Sequence, residues 1–151
     1  MFDYWYSGEN MIYKSYSVKE TENIAKAFAK TLEKGDVVCI NGDLGSGKTA
    51  FTAGLAKGMG ITDVISSPTF TIVNCHSGDI PLYHFDVYRI SDSSEMDDIG
   101  FDEYISGDGV SVIEWADIIS DILPEKRYDI TITKNFEVDD DFREITIEKR
   151  G

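Results

Sequence analysis

Residues 42–49 read Gly-Asp-Leu-Gly-Ser-Gly-Lys-Thr, and this octapeptide limits the chain more than any other feature. It matches G-x-x-x-x-G-K-[ST] at every fixed position. The glycines allow positive φ and let the backbone come close to a ligand. Successive N–H groups then converge on an anion, and the dipole of a following helix adds to the attraction. Such a loop works only between a strand and a helix, so its flanks test it. Val37-Val38-Cys39-Ile40 before it is short, branched and apolar, as a buried parallel strand is. Residues 48–59 after it read as a helix, closed by Gly58 or Gly60. The expected architecture is α/β: a three-layer P-loop NTPase-like fold with a central mixed sheet flanked by helices. The expected nucleotide contacts are Asp43, Leu44, Gly45, Ser46, Gly47, Lys48, Thr49 and Ala50. Lys48 can reach the β- and γ-phosphates and act in catalysis, and Thr49 can offer its hydroxyl to Mg²⁺.

The rest of the chain arranges itself around this unit. Residues 12–16 alternate weakly and predict a strand. Ser17-x-x-Glu20 is a capping box. Ile24, Phe28 and Leu32 recur every four residues on one helix face, and Gly35 suits the position that ends that helix. Residues 70–73 and 82–85 predict strands joined by the turn Ser77-Gly78-Asp79, and 91–98 a short helix. Residues 110–113 predict a buried strand and 116–123 a short helix stopped by Pro124. Residues 128–133 and 144–148 alternate around Asp139-Asp140-Asp141, which predicts a C-terminal antiparallel hairpin.

A triphosphate site also needs carboxylates near the metal and the attacking water. Two strand-like runs end in one: Leu82-Tyr83-His84-Phe85-Asp86 and Val110-Ser111-Val112-Ile113-Glu114. Ligands of open α/β sheets gather at the carboxyl ends of strands, so both acids are in place. The pattern leaves open which serves Mg²⁺ and which the water. His84 reads as a structural histidine. Thr133-Lys134-Asn135-Phe136 lacks the Asp with which Ras-type GTPases recognise guanine, and Asp86 is followed by Val-Tyr-Arg rather than x-x-Gly. ATP is therefore preferred over GTP.

The formal net charge is −14, and nucleic-acid phosphates need Lys and Arg to neutralise them, so direct RNA or DNA binding is disfavoured. A basic protein partner is compatible with it. The four arginines, Arg89, Arg127, Arg143 and Arg150, form no lid cluster, which leaves a small-molecule kinase behind a hydrolase. A nucleotide-gated binding module with incidental hydrolysis stays open. Hydrophobic residues are 42% and aromatics 12%, enough for one core. Cys39 and Cys75 sit in apolar stretches and read as buried reduced thiols of a cytoplasmic protein. No apolar run approaches the roughly 20 residues of a membrane span, and the first residues lack the pattern of a secretory signal. Residues 1–10 read as an N-terminal extension open to disorder, and 11–151 as a single P-loop ATPase domain.

Four strings in order carry a resemblance: GDLGSGKT at 42–49, Ser67-Pro68-Thr69-Phe70, His84-Phe85-Asp86-Val87-Tyr88-Arg89, and Ile113-Glu114-Trp115-Ala116-Asp117. From about residue 17 to 147 the sequence resembles the TsaE family, small bacterial ATPases required for threonylcarbamoylation of the adenosine next to the anticodon in tRNA. The resemblance implies a first switch at 67–70, with Thr69 near the γ-phosphate. It implies that Asp86 positions the water or accepts its proton, that Glu114 holds Mg²⁺ with Thr49, and that Trp115 is functional beside it. Arg143 matches an arginine that contacts nucleotide in similar proteins. The resemblance further implies an accessory subunit, slow alone, that works with TsaB and TsaD and meets tRNA only through that complex.

Overall fold

A computed structural model describes residues 3–7, 10–68 and 71–151. Eight strands form one sheet: β1 (Asp3–Ser7), β2 (Asn10–Ser15), β3 (Val37–Asn41), β4 (Val73–His76), β5 (Leu82–Asp86), β6 (Val110–Glu114), β7 (Arg127–Lys134) and β8 (Arg143–Arg150). Their order is β1-β2-β8-β7-β3-β6-β5-β4. β7, β3, β6 and β5 run parallel. The strands outside them pair antiparallel, and β7–β8 is the expected hairpin, in register from Arg127↔Arg150 to Lys134↔Arg143.

Alternation along β3 builds three layers. Val38 and Ile40 enter the core under α1 (Val18–Ala29) and α2 (Lys48–Gly58), with Ile24, Leu55, Ile130 and Ile145. Val37 and Cys39 enter a second core with Phe85, Met96, Phe101 and Ile119. That side is covered by α3 (Glu95–Asp98), α4 (Phe101–Ile105) and a 3₁₀ segment (Ala116–Ile122). Because both faces of β3 are covered, its sequence is a continuous apolar run rather than an alternating one.

At the start of α1 the Glu20 N–H donates to Ser17 Oγ at 3.1 Å. The Glu20 carboxylate reaches back to the Tyr16 N–H at 3.2 Å, one residue before the cap. The helix stops at Ala29, capped by Lys30, and not at Gly35. Gly35, with φ +87, serves the turn into β3 instead. The α1–α2 crossing depends on a missing side chain. A Cβ on Gly54 would lie 2.7 Å from the Glu22 Cα and overlap the Glu22 carbonyl. This close approach seats α2, whose first residue is Lys48, against α1.

Two further expectations are corrected, at β4 and at Cys75, and two elements, β1 and α4, went unanticipated. The strand expected at 70–73 is β4, Val73–His76, because pairing Val73↔Phe85 through His76↔Leu82 leaves the polar turn between them; Phe70 lies outside the described residues. Residues 3–7, expected in an extension open to disorder, form β1 on the open edge of β2, from Asp3↔Lys14 to Ser7↔Asn10. The remainder of that extension at 1, 2, 8 and 9 is outside the described residues. The five residues of α4, too few to show a helical period, were not foreseen. Cys75 is exposed on edge strand β4, while Cys39 is buried and burial pushes its thiol up to about 12. Among the described residues no helix is long and apolar enough to cross a membrane.

Gly54→Ala should therefore lower stability by about 1–3 kcal/mol, the usual cost of overpacking. The measurement is the urea midpoint at unchanged m-value. An unaltered midpoint would mean that this contact does not set the helix crossing.

Candidate functional site

The glycine-rich loop joins the end of β3 to the start of α2. Gly45 has φ +74 and Gly47, the cap of α2, has φ +103, conformations that favour glycine over any residue with a Cβ. They bend the chain back over the helix start, where N–H groups have no partner within the helix. The Ser46 N–H donates to the Asp43 carbonyl at 3.0 Å and closes the turn. Two cations brace the loop from the β7–β8 side. Lys134 Nζ donates to the Leu44 carbonyl at 2.7 Å. Arg143 Nε donates to the Ser46 carbonyl at 2.9 Å and its Nη2 to Gly45 at 3.2 Å. Its Nη1 is held by the Asp140 and Phe142 carbonyls. Arg143, foreseen at the nucleotide, spends these donors on backbone, and the matching role of Lys134 was not foreseen. Leu44 is 65% exposed at the loop tip.

Lys48 is folded into its own loop. Nζ donates to the Gly42 carbonyl at 2.6 Å and to Asp43 at 2.8 Å. It lies 3.9 Å from the ring centroid of Trp115. Burial pushes the ammonium below its ordinary value, against the opposing pull of Glu114, Asp86 and Asp43. Trp115 has φ +63, unique among the described non-glycine residues, and strain of this kind collects at functional sites. Its N–H donates to the Ile40 carbonyl at 3.0 Å, and the chain then leaves the sheet. The ring meets Tyr88 at 4.7 Å between centroids.

The two acids stand in register, Asp86↔Glu114, at the ends of neighbouring parallel strands. Leu82 on β5, and Val110 and Val112 on β6, enter the core under α2. By alternation His84, Asp86 and Glu114 share that face, which brings them to the first turn of α2. Glu114 is 1% exposed. Its Oε1 accepts from Thr49 Oγ1 at 3.1 Å, and its Oε2 meets His84 Nε2. Thr49 Oγ1 also shares a hydrogen bond of 2.7 Å with Ser67 Oγ. Asp86 is more open, and its Oδ1 accepts from the Tyr88 N–H at 3.0 Å. Burial pushes the Asp86 carboxyl up and the charge of Glu114 adds to this, while the Tyr88 N–H opposes it.

One cavity of about 350 Å³ collects these groups: Lys48, Thr49, Asp86, Glu114 and Trp115, with Gly45, Gly47 and Ala50 on its loop side. A neighbouring space of about 400 Å³ continues past Asp86 to Pro68, Thr71 and Arg89. Thr69 lies outside the described residues. A hydroxyl and a carboxylate side by side suit Mg²⁺, which takes one or two protein oxygens and completes its shell with phosphates and water. Among the described residues no three His, Cys, Asp or Glu side chains are grouped to hold a metal by themselves. Sequence reasoning read His84 as structural, placed Ser67 only within a switch segment, and gave Tyr88 no role at the site. The i, i+2 spacing of His84 and Asp86 was the available signal, since it puts both on one face of β5.

A family model described as threonylcarbamoyl adenosine biosynthesis protein TsaE matches residues 15–144. A tRNA threonylcarbamoyladenosine biosynthesis protein TsaE of Bacillus subtilis (strain 168) is 47% identical over 140 residues, spanning 92% of this chain and 85% of that protein. One of Treponema pallidum (strain Nichols) is 42% identical over 133 residues, spanning 88% of this chain and 96% of that protein. The crystal structure of YdiB from Bacillus subtilis has a TM-score of 0.80 at 39% identity, over 100% of this chain and 88% of that one.

The raised pKa of Asp86 yields a stability test. A carboxyl raised by folding contributes stability that is present below its ordinary pKa and lost as pH rises through the folded value. Asp86→Asn should therefore raise the thermal midpoint of the nucleotide-free protein at neutral pH. The gain should vanish in acid, where the native side chain is itself neutral. A midpoint lowered at neutral pH would contradict the desolvation account.

Proposed function

The chain belongs to the TsaE family of threonylcarbamoyl adenosine biosynthesis proteins, and from that premise we propose that it is a Mg²⁺-dependent ATP hydrolase. It serves tRNA threonylcarbamoylation in the cytoplasm as an accessory subunit of TsaB and TsaD, and meets tRNA only through them. The observation that carries this reading is the convergence of Lys48, Thr49, Asp86 and Glu114 on one cavity at the helix start. The triphosphate lies along residues 42–49. Lys48 turns from the Gly42 and Asp43 carbonyls to the β- and γ-phosphates. Thr49 Oγ1 and Glu114 Oε1 would hold Mg²⁺, which would supply neutralisation of phosphate charge. Asp86 positions the attacking water or takes its proton, and a carboxyl whose proton affinity is raised by burial suits that task. Trp115 and Tyr88 wall the site beside Lys48.

Arginine supply supports slow turnover in the isolated chain. Arg127 and Arg150 pair with Asp129, and Arg143 is committed to the loop. Arg89 alone lines the adjoining space. P-loop hydrolases without an arginine at the transferring phosphate turn over slowly until a partner supplies one. The same shortage disfavours a kinase, which clamps the transferring group with cations.

Phosphate release, measured with and without TsaB and TsaD, tests the proposal. Lys48→Ala should abolish nucleotide-dependent activity. Asp86→Asn should retain ATP binding and lose roughly 10²-fold or more in rate, the usual share of general acid–base catalysis. The partner subunits should raise the rate or the affinity. A phosphorylated acceptor in place of free phosphate would favour a kinase, and indifference to the partners would defeat the accessory role.

A further inference from the structure

His84 sits on β5 with 0% exposure, beneath the carboxylate of Glu114. A carboxylate can only accept hydrogen bonds, so the shared hydrogen is on His84 Nε2. The other ring nitrogen, Nδ1, is buried and has no hydrogen-bond partner among the described residues. Leaving a buried polar atom unmet costs stability. An apolar side chain would fill this place, on the face of β5 that Leu82 packs under α2, at lower cost. Packing therefore does not account for an imidazole here. What the ring supplies beyond volume is one N–H aimed at one oxygen.

That oxygen has a partner role to protect. With Oε2 tied to His84, Oε1 is the oxygen left beside Thr49 Oγ1. Without the tie, the carboxylate can rotate about its last bond, which has a broad torsional preference. Partners that orient a metal ligand govern metal affinity without touching the metal. We propose that His84 is a positioning residue of the Mg²⁺–nucleotide site, which locks the Glu114 carboxylate so that Oε1 and Thr49 Oγ1 face the cation together. This rests on the reading of Thr49 and Glu114 as the Mg²⁺ pair.

Three variants separate positioning from packing. His84→Met keeps volume and removes the donor. His84→Gln carries its amide N–H to nearly the distance of Nε2. His84→Asn keeps a polar group but stops short of Glu114, and replaces the Met variant if that one does not fold. Binding of a fluorescent ATP analogue is measured in EDTA and across a Mg²⁺ titration, with the thermal midpoint alongside. In the Met or Asn variant, affinity in EDTA should match the native protein, and the Mg²⁺ concentration for half of the metal-dependent gain should rise about 10- to 100-fold. His84→Gln should restore most of that loss. An unshifted Mg²⁺ midpoint in a folded donor-less variant overturns the proposal. So does equal impairment of the Gln and Met variants, in EDTA and in Mg²⁺ alike, which marks a purely structural residue. A native protein that gains no affinity from Mg²⁺ defeats the Mg²⁺ reading itself, and the positioning role with it.

Discussion

A carboxylate buried to 1% exposure is costly unless it is paired, and the centre of this protein is built around pairing one. Glu114 draws its partners from two elements. Thr49 comes from the first turn of α2, 65 residues away in sequence. His84 comes from the adjacent strand β5. Both bonds require the order β3-β6-β5, with all three strands parallel, so that the strand ends and the helix start meet at one pole. The α1–α2 contact at Gly54 then matters to the site, because it fixes how closely α1 packs on the helix that carries Lys48 and Thr49. Packing on one side of the sheet and hydrogen bonding at its end thus constrain the same helix.

The loop itself is held by charge in a chain that has little positive charge to spend. Lys134 and Arg143 fasten its carbonyls from outside, and Lys48 fastens two more from inside. Ammonium and guanidinium donors on neutral carbonyls make strong hydrogen bonds. The two outer cations hold the loop shape independently of Lys48. Trp115 contributes to the same balance. Its left-handed backbone turns the chain out of β6 and leaves the ring over the Lys48 ammonium, a cation–π contact worth about 0.5–2 kcal/mol. Lys48 in this state has its charge satisfied twice over, by carbonyls and by a ring, which offsets its burial.

Features with a local chemical cause were readable from the sequence. The spacing of glycines and lysine at 42–49, the apolar run of β3 and the strand-terminal position of Asp86 and Glu114 can each be read within a few residues. Features set by distant pairing were not. β4 lies three residues later than its own hydrophobicity suggests, because its register is imposed by β5. Gly35 looked like the end of α1 but works at the start of β3. β1 depends on an open edge that only the assembled sheet presents. Arg143 and His84 show the same limit at the site. Each carries a readable side chain whose target, a loop carbonyl or a carboxylate oxygen, lies tens of residues away.

Adjacent acids in one register pair have opposite surroundings. Glu114 is enclosed, with both oxygens engaged by neighbours on either side. Asp86 is half-buried, engages Tyr88 through one oxygen and faces two connected spaces. Its proton affinity is raised by burial, and raised further by the charge of Glu114 beside it. A carboxyl with raised proton affinity is the better proton acceptor of such a pair. The charge of Glu114 adds to the effect of burial, so the enclosed acid bears on the proton affinity of its more open neighbour.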